Sequence, residues 1–172
     1  AGGVVLVPMR DAAGALWNVQ SIAPDKASDG TDKLFLKGGR KSGLWHLIVG
    51  PGSDTAAPAV LLVAEGYATA ATLHEATGRP VAVAFDAGNL LHVAKALRKL
   101  YPSALLVLCG DDDAQTFERT GNNPGRDKAT AAARAVRGLA VFPAPLPEGG
   151  SDFNDLHQHQ GGAAGLEAVR CI

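Results

Sequence analysis

The chain has 172 residues, 47% hydrophobic and 19% charged, and its 16 Lys and Arg nearly balance 17 Asp and Glu for a formal net charge of −1. That is enough for one compact core with at most a small satellite subdomain, and it argues against both a disordered chain and a globally basic nucleic-acid coat. Any nucleic-acid site is a local patch. The longest apolar stretches fall short of the roughly 20 residues of a membrane helix, because the run at 59–64 stops at Glu65, so a soluble, cytoplasmic protein is expected. The start, Ala1-Gly2-Gly3-Val4-Val5, has no secretory signal and no initiating Met, and reads as a domain of a longer chain. Two cysteines, Cys109 and Cys171, argue against a disulfide framework or a Cys-type zinc site.

The first segment is β-rich. Residues 4–9 and 15–22 flank a turn at Asp11-Ala12-Ala13-Gly14, the pattern of a hairpin. A polar stretch, the short run Leu34-Phe35-Leu36, the turn Lys37-Gly38-Gly39-Arg40-Lys41-Ser42-Gly43 and a strand at 44–49 complete three or four antiparallel strands. Residues 51–58 carry Gly, Ser and two prolines and serve as a linker, so the expected division is a β-rich subdomain over 1–50, the linker 51–58 and a second domain over 59–172.

Beyond the linker, strands and helices alternate. Apolar runs at 59–64, 81–85, 104–109 and 139–142 are separated by helices at 69–77, 89–100 and 127–137, with a polar loop at 111–125 and a last helix at 163–170. Continuous apolar strands between helices require a sheet buried on both faces, which makes this domain α/β with a doubly wound parallel sheet of about four strands. Trp17, Trp45, Phe35 and Phe142 read as core, and His157 and His159 as solvent-facing.

Acids gather where these strands end: Glu65 after the first, Asp86 after the second and Asp111-Asp112-Asp113 after the third. Ligands of open parallel sheets bind at that edge, at the point where strand order reverses. Each acid alone also reads as a helix cap, which is the reading kept for Asp86 with Asn89 as a competing cap. Glutamate is a poor cap, and Glu65 stands directly before Gly66 on a strand-to-helix turn, so its carboxylate is expected to face the cleft. Asp111 and Asp113 face one side if the strand conformation continues, with Asp112 facing the other. Three carboxylates there make an all-oxygen site for Mg²⁺ or Mn²⁺. For Glu65 to meet Asp111 the first and third strands must be neighbours, which requires a strand order such as 2-1-3-4.

These residues, with Ala64-Glu65-Gly66-Tyr67, Asp86-Ala87-Gly88-Asn89, Asn123-Pro124-Gly125 and Asp152-Phe153-Asn154-Asp155-Leu156, resemble the Toprim domain of plasmid and phage primases over residues 58–157. The β-rich segment before them is similar to the subdomain that precedes Toprim in such primases. The resemblance implies a DNA primase catalytic core of the replication primosome, a nucleotidyltransferase that makes short RNA primers on single-stranded DNA from nucleoside triphosphates. It implies Glu65, Asp111 and Asp113 as the catalytic, metal-binding acids, with Glu65 also a candidate general base. Asp155 is a further candidate metal ligand, with an Asx-turn and N-cap as the alternative for Asp152 and Asp155. Lys33, Lys37 and Arg40 map onto a basic motif facing the acids, and Lys128, beside Arg126 at a helix start, is a further phosphate candidate. A zinc-binding module and a helicase are implied in the same or a partner chain. The rival readings are a Toprim nuclease, a receiver-like signalling domain and a non-catalytic nucleic-acid-binding module.

Overall fold

A computed structural model describes residues 3–51, 56–146 and 149–170. Three strands, β1 (Val5–Arg10), β2 (Leu16–Ile22) and β3 (Lys33–Phe35), form an antiparallel sheet in that order. Asp11 closes the β1–β2 turn by accepting the amides of Ala13 and Ala15 at 3.0 and 3.1 Å, as the hairpin reading requires. Val7, Met9, Asn18 and Gln20 are buried on one face, while Leu6 and Leu34 stand exposed. Trp17 is a correction to the expected core: it is 51% exposed, its indole N–H donates to Asp11 Oδ2 at 2.7 Å, and the Arg40 guanidinium lies 4.3 Å over its ring. A lone three-stranded sheet covered on one side leaves its other face in water, and a cation and a carboxylate cover this indole instead.

The second sheet contains β4 (His46–Ile48), β5 (Val60–Ala64), β6 (Val81–Val83), β7 (Leu105–Cys109) and β8 (Leu139–Val141) in the order β4-β6-β5-β7-β8. The four strands after the linker are parallel to their neighbours and stand in the expected 2-1-3-4 order. β4, expected among the N-terminal antiparallel strands, instead pairs antiparallel with β6 and caps an edge that would otherwise be open. Trp45, just before β4, exchanges two 2.9 Å backbone hydrogen bonds with Arg10, which stitches the two sheets together.

Helices α1 (Tyr67–Thr77), α5 (Phe153–Gln160) and α6 (Gly162–Arg170) pack on one face of this sheet. On the other face lie α2 (Leu90–Leu100) and α4 (Pro124–Val136). α2 buries Leu90, Val93, Ala94 and Leu97, the i, i+3, i+4, i+7 stripe of an amphipathic helix. α4 buries Gly125, Ala129, Ala132, Ala133 and Val136, small residues that allow it to lie close to α2 and β7. Two departures from expectation lie in the polar segment at 111–125. It holds a short helix, α3 (Ala114–Thr120), which buries no residue and so leaves no apolar period to read. α4 also begins at Pro124 rather than at 127, because Asn123 caps it by accepting the Arg126 amide and proline suits a first helical position. α5 is a separate helix ended at Gly161, where a single last helix was expected.

Cys109 is buried as a free thiol, and burial pushes its pKa up to about 12. Cys171 and the linker positions 52–55 lie outside the described residues. Among the described residues no helix is long and apolar enough to cross a membrane.

Asn89 is the polar rivet between the two parts. Only 4% exposed, it donates from Nδ2 to the carbonyls of Leu44 and Ala84 at 2.9 and 2.8 Å and accepts the Gly43 amide on Oδ1 at 2.7 Å. Asn89 rather than Asp86 stands at the N-cap position of α2, without a side-chain cap bond, and Asp86 Oδ1 accepts the Asn89 amide at 2.9 Å in the turn before the helix. Replacing Asn89 with Ala strands buried groups of residues 43, 44 and 84, and a loss of about 2 to 4 kcal/mol in urea-unfolding stability is expected.

Candidate active site

Parallel pairing of β5 with β7 sets Ala64 opposite Cys109, so the chain leaves both strands side by side, toward Glu65 on one and Gly110-Asp111 on the other. Glu65 enters a turn whose next residue, Gly66, occupies the N-cap position of α1 with extended backbone. Both acids are half-buried, and Glu65 Oε1 and Asp111 Oδ1 are buried with no hydrogen-bond partner. Burial, then the charges of Asp111 and Asp113, push the Glu65 pKa from 4.5 up to about 8, with Lys128 opposing them. Burial, then Asp152, Asp113 and Asp155, push Asp111 from 3.8 up to about 7, with Lys33 opposing. The acids therefore sense one another across the strand ends.

β7 ends at Cys109, so the strand conformation expected to set these acids on alternate sides does not continue through 111–113, and the start of α4 engages the last two of them instead. Asp112 accepts from Asn123 Nδ2 and Arg126 Nη1, both at 2.7 Å, while Asp113 accepts the Gly125 amide on Oδ2 at 2.9 Å. Two glycines permit this closeness. A Cβ on Gly125 would lie 2.5 Å from the Asp111 carbonyl oxygen, and one on Gly110 would lie 2.5 Å from the Ala129 Cβ. The Asn-Pro-Gly run at 123–125 is thus the start of a helix pressed against the acidic segment.

Asp155 and Asp152 form a reciprocal capping box at the start of α5: Asp152 accepts the Asp155 amide at 2.8 Å, and Asp155 Oδ2 accepts the amides of Ser151 and Asp152 at 2.8 and 3.3 Å. Both nevertheless lie close enough to raise the Asp111 pKa. Asp152 is further held by the Thr69 hydroxyl at 2.7 Å, a contact across 83 positions that the sequence does not announce.

The cations divide. Lys33 from β3 and Lys128 from α4 are exposed and act on Asp111 and Glu65. Lys37 is exposed at the turn after β3 and is not among the charges that shift either acid. Arg40 is turned to Asp11 Oδ2 at 3.4 Å and to the Trp17 ring. Lys41 meets Asp86 at 3.4 Å and the Phe35 ring at 4.7 Å. Phe35 stacks edge-on against Phe85, a non-glycine residue held at φ 71° just before Asp86, so backbone strain sits at the rim of the site. His157, expected to face solvent, is half-buried with an unpartnered Nδ1, because Gly165 of α6 packs directly on it.

Among the described residues no three Asp, Glu, His or Cys side chains are drawn together into a ready-made metal cage. Two unpartnered carboxylate oxygens on adjacent strand ends, with further acids behind them, nonetheless fit a hard divalent cation that keeps part of its own water.

Fold and site together define a doubly wound α/β domain with an acidic centre at its topological switch point. The Toprim domain model matches residues 60–163, and the chain belongs to the Toprim domain family. That family is metal-dependent in general. Two Escherichia coli proteins named DNA primase TraC are 44% identical over 155 residues and 47% identical over 146. These alignments cover 90% and 85% of this chain but only 10% and 13% of the relatives, so the chain spans about a tenth of their length. Among solved structures, the DnaG primase catalytic domain bound to single-stranded DNA superposes with a TM-score of 0.61 at 18% identity, covering 98% of this chain and 52% of that one. A DnaG catalytic core gives 0.60 at 19% identity, with the same coverage. At such identity these two share the fold.

Both raised acids hold their protons more tightly in the folded chain than in the unfolded one. Stability of the metal-free protein is therefore expected to fall as pH rises from the ordinary carboxylate range through about 7 and 8. Calorimetric melting between pH 4 and about 9 reads this slope. Glu65→Gln is expected to flatten it and to melt above wild type at the alkaline end.

Proposed function

We propose that this domain is the catalytic core of a primase, joining ribonucleotides into short RNA primers on single-stranded DNA. The observation that carries the reading is the pair of buried, unpartnered carboxylate oxygens of Glu65 and Asp111 at neighbouring strand ends, backed by Asp113. Similarity to TraC primases and a DnaG fold solved with single-stranded DNA support it. Nucleoside triphosphates are the substrates, a zinc-binding module and a helicase are partners in the same or another chain, and the setting is cytoplasmic.

Glu65, Asp111 and Asp113 would hold Mg²⁺ or Mn²⁺, with Asp155 as an outer ligand through the oxygen its capping box leaves free. Bound there, a divalent cation activates the attacking 3′-hydroxyl and offsets charge on the pyrophosphate leaving group. The chain's own residues do the rest. Glu65, at the strand end beside Asp111, is also the group we assign to take the 3′-hydroxyl proton. Lys33 and Lys128 flank the acids and offer point charges to the triphosphate. Lys37 extends that positive edge along the β3 turn toward the template, and Arg40, which lies over Trp17 and pairs with Asp11, would have to exchange that carboxylate for a phosphate to join it.

The test is incubation of the chain with single-stranded DNA, four ribonucleotides and Mg²⁺ or Mn²⁺. Short labelled oligonucleotides are expected, and Asp111→Ala and Glu65→Ala are each expected to abolish them while remaining folded. Metal-dependent shortening of the DNA without products would instead mark a nuclease. Lys33→Ala and Lys37→Ala are expected to raise KM for nucleotide or template with kcat little changed; unaltered kinetics would remove them from the site.

A further inference from the structure

Asp112 is the acid of the 111–113 run that the proposed reaction leaves unused, and both of its carboxylate oxygens are taken. Asn123 Nδ2 donates to Oδ1 and Arg126 Nη1 to Oδ2, each at 2.7 Å. The Asp112 amide donates to the Ser151 carbonyl at 2.6 Å. Asn123 Oδ1 accepts the Asp113 amide at 3.1 Å while also capping α4 through the Arg126 amide at 3.2 Å. The Arg126 guanidinium is held in turn by the Phe142 ring, 4.4 Å from its centroid. None of these contacts involves the buried Asp111 oxygen.

We propose that Arg126 is a positioning residue, which pins Asp112 with the help of Asn123 and Phe142 and so holds Asp111 and Asp113 toward Glu65. The inference rests on reading those three acids as the metal-holding group. Three consecutive aspartates next to a glutamate repel one another, and a free segment would rotate to spread them. Fixing the central one, with its charge neutralised, removes the rotation that would turn its neighbours away. The Arg126 side chain is 45% exposed, so losing it leaves its end of the pair to water and costs little overall stability, whereas the Asp112 side chain, 15% exposed with both oxygens bonded, contributes stability as well as orientation. The Asp112 oxygens bond to Asn123 and Arg126, so the pair acts on the site through the backbone that links 111 to 113.

The experiment compares wild type, Arg126→Gln, Asp112→Asn and the double variant by titrating Mn²⁺ without nucleotide, read by the electron paramagnetic resonance of the free ion. Amide hydrogen exchange of the same proteins without metal is measured in parallel. Each single variant is expected to bind Mn²⁺ about tenfold more weakly and the double no more weakly than the worse single, with the melting temperature of Arg126→Gln nearly unchanged and that of Asp112→Asn lowered. The amides of residues 112 and 113 are expected to exchange faster in every variant while those of β5 stay protected. Arg126→Lys, which keeps the charge but loses the planar fork, is expected to fall between, and it serves the same test if Arg126→Gln does not fold. Tighter binding in Arg126→Gln with looser binding in Asp112→Asn would mean that only through-space charge acts, and would overturn the proposal. Additive losses, or unchanged exchange at 112 and 113, would overturn it as well. Mn²⁺ binding that Asp111→Asn leaves intact would overturn the metal reading instead, and the exchange rates of the metal-free proteins would still decide whether Arg126 fixes the segment.

Discussion

Repulsion among carboxylates held at one sheet edge is the constraint around which the domain is arranged. Placing β5 beside β7 in parallel register brings Glu65 and Asp111 out of the sheet at the same level, and half-burying them denies each the water that would screen its charge. The chain tolerates this because the surrounding elements are fixed independently of the acids. Apolar strands buried by helices on both faces hold the strand ends, and the close approach of α4 at Gly110 and Gly125 holds the segment that follows β7. A site that is strained when empty is well suited to a cation, since the repulsion removed on binding adds to the attraction gained.

Much of this was legible in the sequence, for identifiable reasons. The parallel strands were readable because they are buried on both faces and therefore apolar throughout, and the 2-1-3-4 order followed once Glu65 and Asp111 were required to meet. Strand alternation did not reach the three aspartates, because β7 ends at Cys109. What stayed hidden depends on contacts between distant residues or on elements without a buried face. α3 buries nothing and leaves no period. The Asp112–Arg126 pair joins residues across a loop whose course the sequence does not give, although Asn-Pro-Gly before an alanine-rich helix was its one local sign. Trp17 was misread because aromatic residues are usually buried, whereas here a thin sheet leaves its outer face to solvent.

The basic residues show the same limit. Composition placed four cations around the Gly38-Gly39 turn, but only the structure separates Lys33, which acts on Asp111, from Arg40 and Lys41, whose charges are already engaged by Asp11 and Asp86. Which cation meets which acid is set by how the N-terminal sheet is fastened to the second one. That fastening is compact: two backbone hydrogen bonds between Arg10 and Trp45, the β4–β6 pairing, and the three bonds of Asn89.

The position of β4 also bears on the order in which the molecule can assemble during synthesis. The hairpin of β1 and β2 pairs with itself as soon as it emerges, but β4 finds its partner in β6, which is made only after β5 and α1, and β6 in turn docks on β5. Residues 46–48 therefore wait, unpaired, through the making of an entire βα unit, and Gly43 and Leu44 wait longer for Asn89. Within this domain the segment before β5 is made ahead of its partners and is among the last parts to be locked in place, a long-range closure of the kind that slows folding.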